Sequence, residues 1–161
     1  MAAVRVIGCG NPDAGDDAAG LLAVREAASG LRAIDGVEVV EAGPATKVLD
    51  LLDGVDAVIV VDAVRAPRGG RAAGDLIRVE PGPSGLPASV GPSLSSHGFG
   101  LAEAIGLAVA LGGSPRLVFL GVEAGDVTAG HGPSPAVEAA LPSLVTRIVE
   151  EAKAMAREPF P

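Results

Sequence analysis

The chain has 161 residues, 48% of them hydrophobic, and a net charge of −8 with no Trp, no Tyr and three Phe. This length predicts one domain over residues 1–161, with a frayed tail from about residue 155. The acidic balance and the scarcity of aromatic rings argue against a nucleic-acid partner. No apolar run reaches the roughly 20 residues that span a bilayer, and no export signal is recognised, so we expect a cytoplasmic protein without a membrane partner.

Strand-like and helix-like segments alternate along the chain. Apolar runs predict strands at residues 4–8, 37–41, 55–61 and 117–122, and a weaker strand at 75–80 fits an antiparallel edge position. Helical spacing predicts helices at residues 16–28, 46–52, 97–111 and 135–154, with loops at 65–74 and 81–96. This alternation predicts an α/β fold with right-handed crossovers that cover both faces of the sheet.

The glycine turn after the first strand carries acids where a phosphate-binding loop would avoid them. Asp13, Asp16 and Asp17 follow Gly8 and Gly10, and their charges would repel a phosphate. The dinucleotide-binding pattern also fails, because a third small residue is needed where Asp13 stands and Glu41 comes too late to bind a ribose. The loop therefore favours a cation.

Polar residues at three places in the chain follow strands or open helices, where ligands bind in open α/β sheets. They are the adjacent Asp16 and Asp17, Asp62 after the third strand, and His97 at the start of a helix. Two carboxylates and one imidazole suit a borderline divalent metal such as nickel or zinc. Each position has a structural alternative: Asp16 is assigned as a helix cap, Asp62 is equally consistent with a turn cap, and His97 could simply begin its helix.

Other reactive residues fit a catalytic role less well. Cys9 is the only cysteine, which excludes an internal disulfide, and its place at a strand end favours burial as a small apolar residue. A nucleophilic Cys9–His97 pair stays as an alternative. His131 is expected to be solvated in a loop, and no serine lies in a Gly-x-Ser-x-Gly elbow.

Five segments, in order, resemble the [NiFe]-hydrogenase maturation endopeptidases, which trim the C-terminus of the hydrogenase large subunit. They extend over nearly the whole chain. The segments are Gly8-Cys9-Gly10-Asn11 with Asp16-Asp17 and Gly20; Val60-Val61-Asp62-Ala63; Ser95-Ser96-His97 with Leu101; Leu120-Gly121-Val122-Glu123; and Gly132-Pro133-Ser134-Pro135-Ala136-Val137 with Ala140-Leu141-Pro142.

The resemblance implies a three-layer α/β/α sandwich around a twisted, mostly parallel sheet of about five strands. It also implies an endopeptidase in which Asp17, Asp62 and His97 form the metal-recognition and catalytic site. In this family the nickel belongs to the substrate, the large-subunit precursor, and no tightly bound organic cofactor is expected. Gly121-Val122-Glu123-Ala124 departs from the frequent Gly-x-Gln-Pro of the family, which leaves the class of hydrogenase open.

Several alternatives remain open at this point. Peptide hydrolysis by water needs a general base, and either Asp17 or Asp62 fits that role. The same three residues would also suit a nickel-sensing docking module that binds the large subunit without cutting it. A Cys9–His97 hydrolase and a nucleotide-binding domain are the remaining alternatives.

Overall fold

The computed structural model describes residues 3–43, 45–66, 70–81, 85–90, 101–112, 115–128 and 130–158. Within these ranges the chain forms five strands and three α-helices, together with short 3-10 helices. In chain order the strands and α-helices are β1 Val4–Cys9, α1 Ala19–Arg32, β2 Val37–Gly43, β3 Ala57–Val64, β4 Leu76–Val79, α2 Leu101–Ala110, β5 Arg116–Glu123 and α3 Pro135–Arg157. The 3-10 helices are Gly15–Ala18, Ala45–Leu51 and Ala88–Val90.

The strands form one sheet in the order β2-β1-β3-β5-β4. The first three pairs are parallel, with Val4 opposite Val37 and Ala57, and Ala57 opposite Arg116. β4 pairs antiparallel with β5 at the edge, as its sequence predicts. Parallel strands that are covered on both faces have continuous apolar sequences. β3 is such a strand, because all eight of its residues are buried.

Two apolar clusters separate the faces of the sheet. Alternate residues of β3, among them Ile59 and Val61, pack on the face that α1 and α3 cover. The intervening residues Val58 and Val60 pack on the other face against α2 and the 3-10 helix Ala45–Leu51. These layers confirm the three-layer α/β/α sandwich with a mostly parallel five-stranded sheet.

Several element boundaries differ from the predicted ones. β3 continues through Asp62 to Val64, so this acid lies inside the strand rather than after it. The helix predicted at 46–52 is a 3-10 helix, and α1 begins at Ala19 after a separate 3-10 turn. α3 extends to Arg157, so residues 155–157, predicted to begin a frayed tail, are helical.

Part of the predicted 97–111 helix is seen as α2, from Leu101 onward, whereas residues 97–100 lie outside the described ranges. The predicted loop at 81–96 includes the short 3-10 helix Ala88–Val90, and its residues 91–96 are also outside the described ranges. No helix in the described part of the chain is long and apolar enough to cross a membrane.

Candidate functional site

The strand order creates a crevice at the carboxyl ends of β1 and β3. The chain passes from β1 to β2 on one side and then returns to place β3 on the other side of β1. Such a reversal is the usual ligand position of an open α/β sheet, because the connections leave the sheet in opposite directions there. The loop after β1 and the end of β3, which carry Asp17 and Asp62, both belong to this edge of the sheet.

Two glycines let the loop after β1 lie directly on the strand ends. A Cβ on Gly10, whose φ is 142°, would lie 2.0 Å from the carbonyl oxygen of Asp17. A Cβ on Gly20 would lie 2.4 Å from the Cys9 oxygen and 2.5 Å from that of Val61, and 3.0 Å from the Cα of Asp62. Only glycine permits these approaches, which bring the backbone of the first turn of α1 onto both strands.

Asp17 and Asp62 are both buried at this edge. Asp17 is 6% exposed and Asp62 is fully buried. The Oδ1 of Asp62 accepts a hydrogen bond from the backbone N–H of Ala63 at 2.8 Å, a contact within the strand rather than the cap of a turn. Carboxylates are seldom buried, so two buried acids at the edge of the sheet where ligands usually bind make it a candidate site.

Strand alternation places Asp62 on the same face of the sheet as α2. Val58, Val60 and Val64 belong to the apolar cluster that includes Ile105 of α2, and Asp62 has the same parity in β3. The sequence predicts that His97 joins the two carboxylates. His97 lies outside the described residues, four positions before the start of α2, so its part in the site stays a prediction.

The described residues do not by themselves complete a metal site. Among them, no group of three or more His, Cys, Asp and Glu side chains is placed to hold a metal ion. Two carboxylates are the part of the predicted donor set that the described structure contains. The set needs at least one further ligand from another part of the chain or from a bound substrate.

Cys9 has the character of a structural thiol. It is fully buried and packs in the apolar cluster on the α2 face. Burial, and then the negative charges of Asp62 and Asp17, raise the pKa of the Cys9 thiol well above its ordinary range. Because the thiolate is the nucleophile, this environment disfavours a Cys9–His97 hydrolase.

The assignment of Asp16 as a cap of its own helix is wrong. Neither the 3-10 helix Gly15–Ala18 nor α1 has a side-chain cap hydrogen bond. The Asp16 carboxylate, fully buried, accepts hydrogen bonds from Gly125 N, Asp126 N, Ser134 N and Ser134 Oγ at 2.6–2.8 Å. It therefore ties the loop after β1 to the loop that precedes α3.

β5 contains a buried acid that is not among the predicted site residues. Glu123 is 3% exposed, and it pairs with Arg71. The feature that marks Asp62, an acid at the end of a continuous apolar run, is also present at Glu123. His131, by contrast, is exposed as expected. Its backbone oxygen accepts from Gly15 N at 2.9 Å, and its backbone N–H donates to the Thr128 oxygen at 3.3 Å.

Solved structures of hydrogenase maturation endopeptidases share this fold. The maturating endopeptidase HybD from E. coli aligns with a TM-score of 0.75 at 24% identity, over 96% of this chain and 93% of HybD. HybD from Thermococcus kodakarensis aligns with a TM-score of 0.71 at 25% identity, over 95% of this chain and 100% of that protein. An endopeptidase from E. coli solved in solution gives a TM-score of 0.77 at 23% identity, over 100% and 98% of the two chains.

The fold is thus that of a class of endopeptidases. The family model described as hydrogenase maturation protease, HycI, matches residues 23–151. The chain belongs to the hydrogenase maturation protease family and is an enzyme that cleaves peptide bonds. Asp62 and His97 lie within the matched range and Asp17 lies just before it. No curated protein sequence matches the chain.

Proposed function

We propose that this protease removes the C-terminal extension of a nickel-loaded [NiFe]-hydrogenase large-subunit precursor. The observation that carries the proposal is the pair of buried carboxylates, Asp17 and Asp62, at the strand reversal of a maturation-protease fold. Carboxylates and an imidazole are suitable additional ligands for a nickel ion that the substrate already holds. Asp17, Asp62 and His97 would then make cleavage conditional on the metal.

The proposed reaction is hydrolysis of the scissile peptide by water. The water oxygen adds to the carbonyl carbon while its proton passes to Asp17 or Asp62 as general base. The C–N bond then breaks as the proton is returned to the leaving amine. The position of both buried acids at the strand reversal, where ligands bind in open α/β sheets, supports this role. Nickel enters with the precursor, as part of the substrate.

The test is the intact mass of the nickel-loaded precursor before and after incubation with the protease. We expect a C-terminal loss with the wild-type enzyme and no loss with a nickel-free precursor. Asp17→Asn, Asp62→Asn and His97→Ala should each slow cleavage by at least 100-fold, in the range of removing a general base. Asp13→Asn, which changes an exposed acid of the same loop, is the matched control and should keep the wild-type rate.

Three results would contradict the proposal. Equal cleavage of the nickel-free precursor would remove the metal from recognition, and full activity of Asp62→Asn would remove the carboxylate from catalysis. A stable complex whose precursor mass never changes would instead indicate a docking module. The Cys9→Ser variant should still cleave the precursor. A loss of activity in this variant would instead support the Cys9–His97 hydrolase.

A further inference from the structure

A buried acid at the end of β5, the strand paired with β3, binds the backbone just after β3. Glu123 ends β5, and its strand partner in β3 is Val64, two residues beyond the Asp62–Gly121 pair. Both carboxylate oxygens of Glu123 accept the backbone N–H of Ala66, at 2.8 and 2.9 Å. Glu123 therefore fixes the chain just after it leaves β3. By strand alternation it lies on the same face of the sheet as Asp62.

Arg71 connects this acid to a third segment. Its Nε donates to Glu123 Oε1 at 3.1 Å, and its two terminal nitrogens donate to the carbonyl oxygens of Ser89 at 2.9 Å and Val90 at 2.5 Å. The side chain is 19% exposed and that of Glu123 is 4% exposed. The fixed fork of a guanidinium suits such a three-way contact, which the single ammonium of a lysine does not reproduce.

Stability alone gives a weak reason for this arrangement. A well-packed apolar pair often stabilises a fold as much as a buried ion pair does, because both charges lose hydration. The ion pair instead fixes three parts of the chain relative to one another: the end of β5, the residues just after β3 and the segment Ala88–Val90. In the sequence, that last segment comes seven residues before His97.

We propose that Arg71 and Glu123 are positioning residues of the protease. They hold the segment Ala88–Val90, which in the sequence ends seven residues before His97, relative to the chain that leaves the strand carrying Asp62. The proposal rests on the proposed function, because it assigns the pair to the same site. In this proposal neither residue contacts the substrate; both act by positioning the site. Their substitution should therefore lower kcat far more than it changes KM. A displacement of about 1 Å in a reacting group reduces rates by up to 100-fold.

Two variants separate the parts of this contact. Arg71→Lys keeps a positive charge beside Glu123 and removes the forked donors to Ser89 and Val90. Glu123→Gln keeps an acceptor for Ala66 and removes the charge. The matched control is Arg78→Lys, because Arg78 also forms a two-pronged pair, with both contacts to Glu151 at 2.8 Å, on the face covered by α3.

The experiment measures kcat and KM for cleavage of the nickel-loaded precursor, together with amide hydrogen exchange of the free protease. We expect Arg71→Lys and Glu123→Gln to lower kcat by at least tenfold while KM changes less than threefold. Arg78→Lys should stay within twofold of the wild type in both constants. Exchange of the Val90 amide in Arg71→Lys, and of the Ala66 amide in Glu123→Gln, should accelerate at least tenfold, with the amides of α3 unchanged.

The outcomes distinguish this proposal from the proposed function. Wild-type protease that leaves the nickel-loaded precursor uncut would overturn both. Cleavage by the wild type together with unchanged kcat in Arg71→Lys would overturn only the positioning role, and so would an effect confined to KM. Should Glu123→Gln fail to fold, Arg71→Lys alone decides the question.

Discussion

The carboxylate of Asp16 is fully buried and is compensated by hydrogen bonds rather than by a cation. Three backbone N–H groups and one hydroxyl donate to it, and the two backbone amides Gly125 and Asp126 share one of its oxygens. Several donors of this kind satisfy the lone pairs of an ionised carboxylate. Asp16 is thus a structural acid, and its neighbour Asp17 is the candidate for chemistry.

Loss of the Asp16 carboxylate should destabilise the fold strongly. Asp16→Ala leaves buried donors without an acceptor, and we expect the free energy of unfolding to fall by roughly 3 kcal/mol or more. Asp16→Asn keeps one acceptor oxygen and should lose less. The measurement is urea denaturation followed by circular dichroism, with Asp13→Ala as the exposed control. Equal midpoints for Asp16→Ala and Asp13→Ala would contradict the assigned role.

Cys9 should make the folded state sensitive to alkaline pH. Its folded pKa is raised above the unfolded value of about 8.5. The unfolded chain therefore loses its thiol proton first, and stability is lost as the pH rises from about 8.5 towards the folded pKa. Across that window the wild type should lose about 1.4 kcal/mol per pH unit relative to Cys9→Ala, a slope set by linkage. Parallel stability curves for the two proteins between pH 9 and 10.5 would refute this.

The sequence predicts the individual acids better than it predicts their partners. Asp62 stands out because it interrupts an apolar run, and the structure shows it buried. The partners of Asp16 lie up to 118 residues away, so no local pattern connects them. The sequence brings Asp17 and Asp62 together because each follows the end of an apolar strand, whereas the role of His97 stays a prediction.

At the scale of elements, Gly20 determines how closely α1 approaches the sheet. Its missing side chain allows the first turn of the helix to rest on the backbone of β1 and β3, close to Asp62. Close helix–strand contact of this kind requires glycine for steric reasons, since a methyl group there meets carbonyl oxygens that cannot move freely. The contact sets the distance between the loop after β1 and the end of β3.

Gly20→Ala should push α1 away from the strand ends. We expect a loss of roughly 2–3 kcal/mol in the free energy of unfolding, as for other overpacked sites. Gly30, in the same helix, has only Val149 Cγ2 near its Cβ position, at 3.6 Å, so Gly30→Ala should raise stability by up to about 1 kcal/mol. Thermal unfolding of both variants provides the comparison, and a neutral Gly20→Ala would contradict the packing argument.

The segment 45–51 shows where helical spacing misleads. Its apolar positions fit a helix, yet an isolated stretch of this length gains too few hydrogen bonds to offset the cost of starting an α-helix. The tighter 3-10 form is common in such short pieces. It still buries Val48 on the α2 face of the sheet, so a helical element is present although its type is not the predicted one.

At the scale of the whole molecule, one sheet carries two apolar clusters. Ile148 of α3 lies in the cluster on one face and Ile105 of α2 in the cluster on the other, and both are fully buried. Alternate residues of the same strands supply both clusters, so neither layer can separate without disturbing the strands. The described domain should therefore unfold as one unit.

Ile105→Ala and Ile148→Ala test that cooperativity. Each truncation should cost about 2–5 kcal/mol and shift a single transition. Calorimetry and circular dichroism should report the same midpoint for each variant, because both layers depend on one sheet. Leu111→Ala, at a position 76% exposed, is the control and should change little. Separate transitions in either core variant would show that the layers unfold independently.

The architecture was largely predictable, but the order of the strands was not. Alternating apolar runs and helical spacing are local signals, and they located all five strands, including the antiparallel edge strand. The position of β3 next to β1 depends on which apolar faces meet in three dimensions. That neighbourhood creates the crevice, whereas the sequence groups Asp17 and Asp62 only as acids that follow the ends of strands.

The link between Asp16 and Ser134 also has a consequence for biosynthesis. The loop after β1 is synthesised before the donors that hold it, because Ser134 follows Asp16 by 118 residues and lies just before α3. Contacts so distant in sequence form late, because a long stretch of chain must first be ordered. The nascent protein therefore carries Asp17 and Asp62 long before it can hold them in place. The candidate site is therefore complete only after Ser134 has been synthesised, so we expect a nascent chain that stops short of this residue to be inactive.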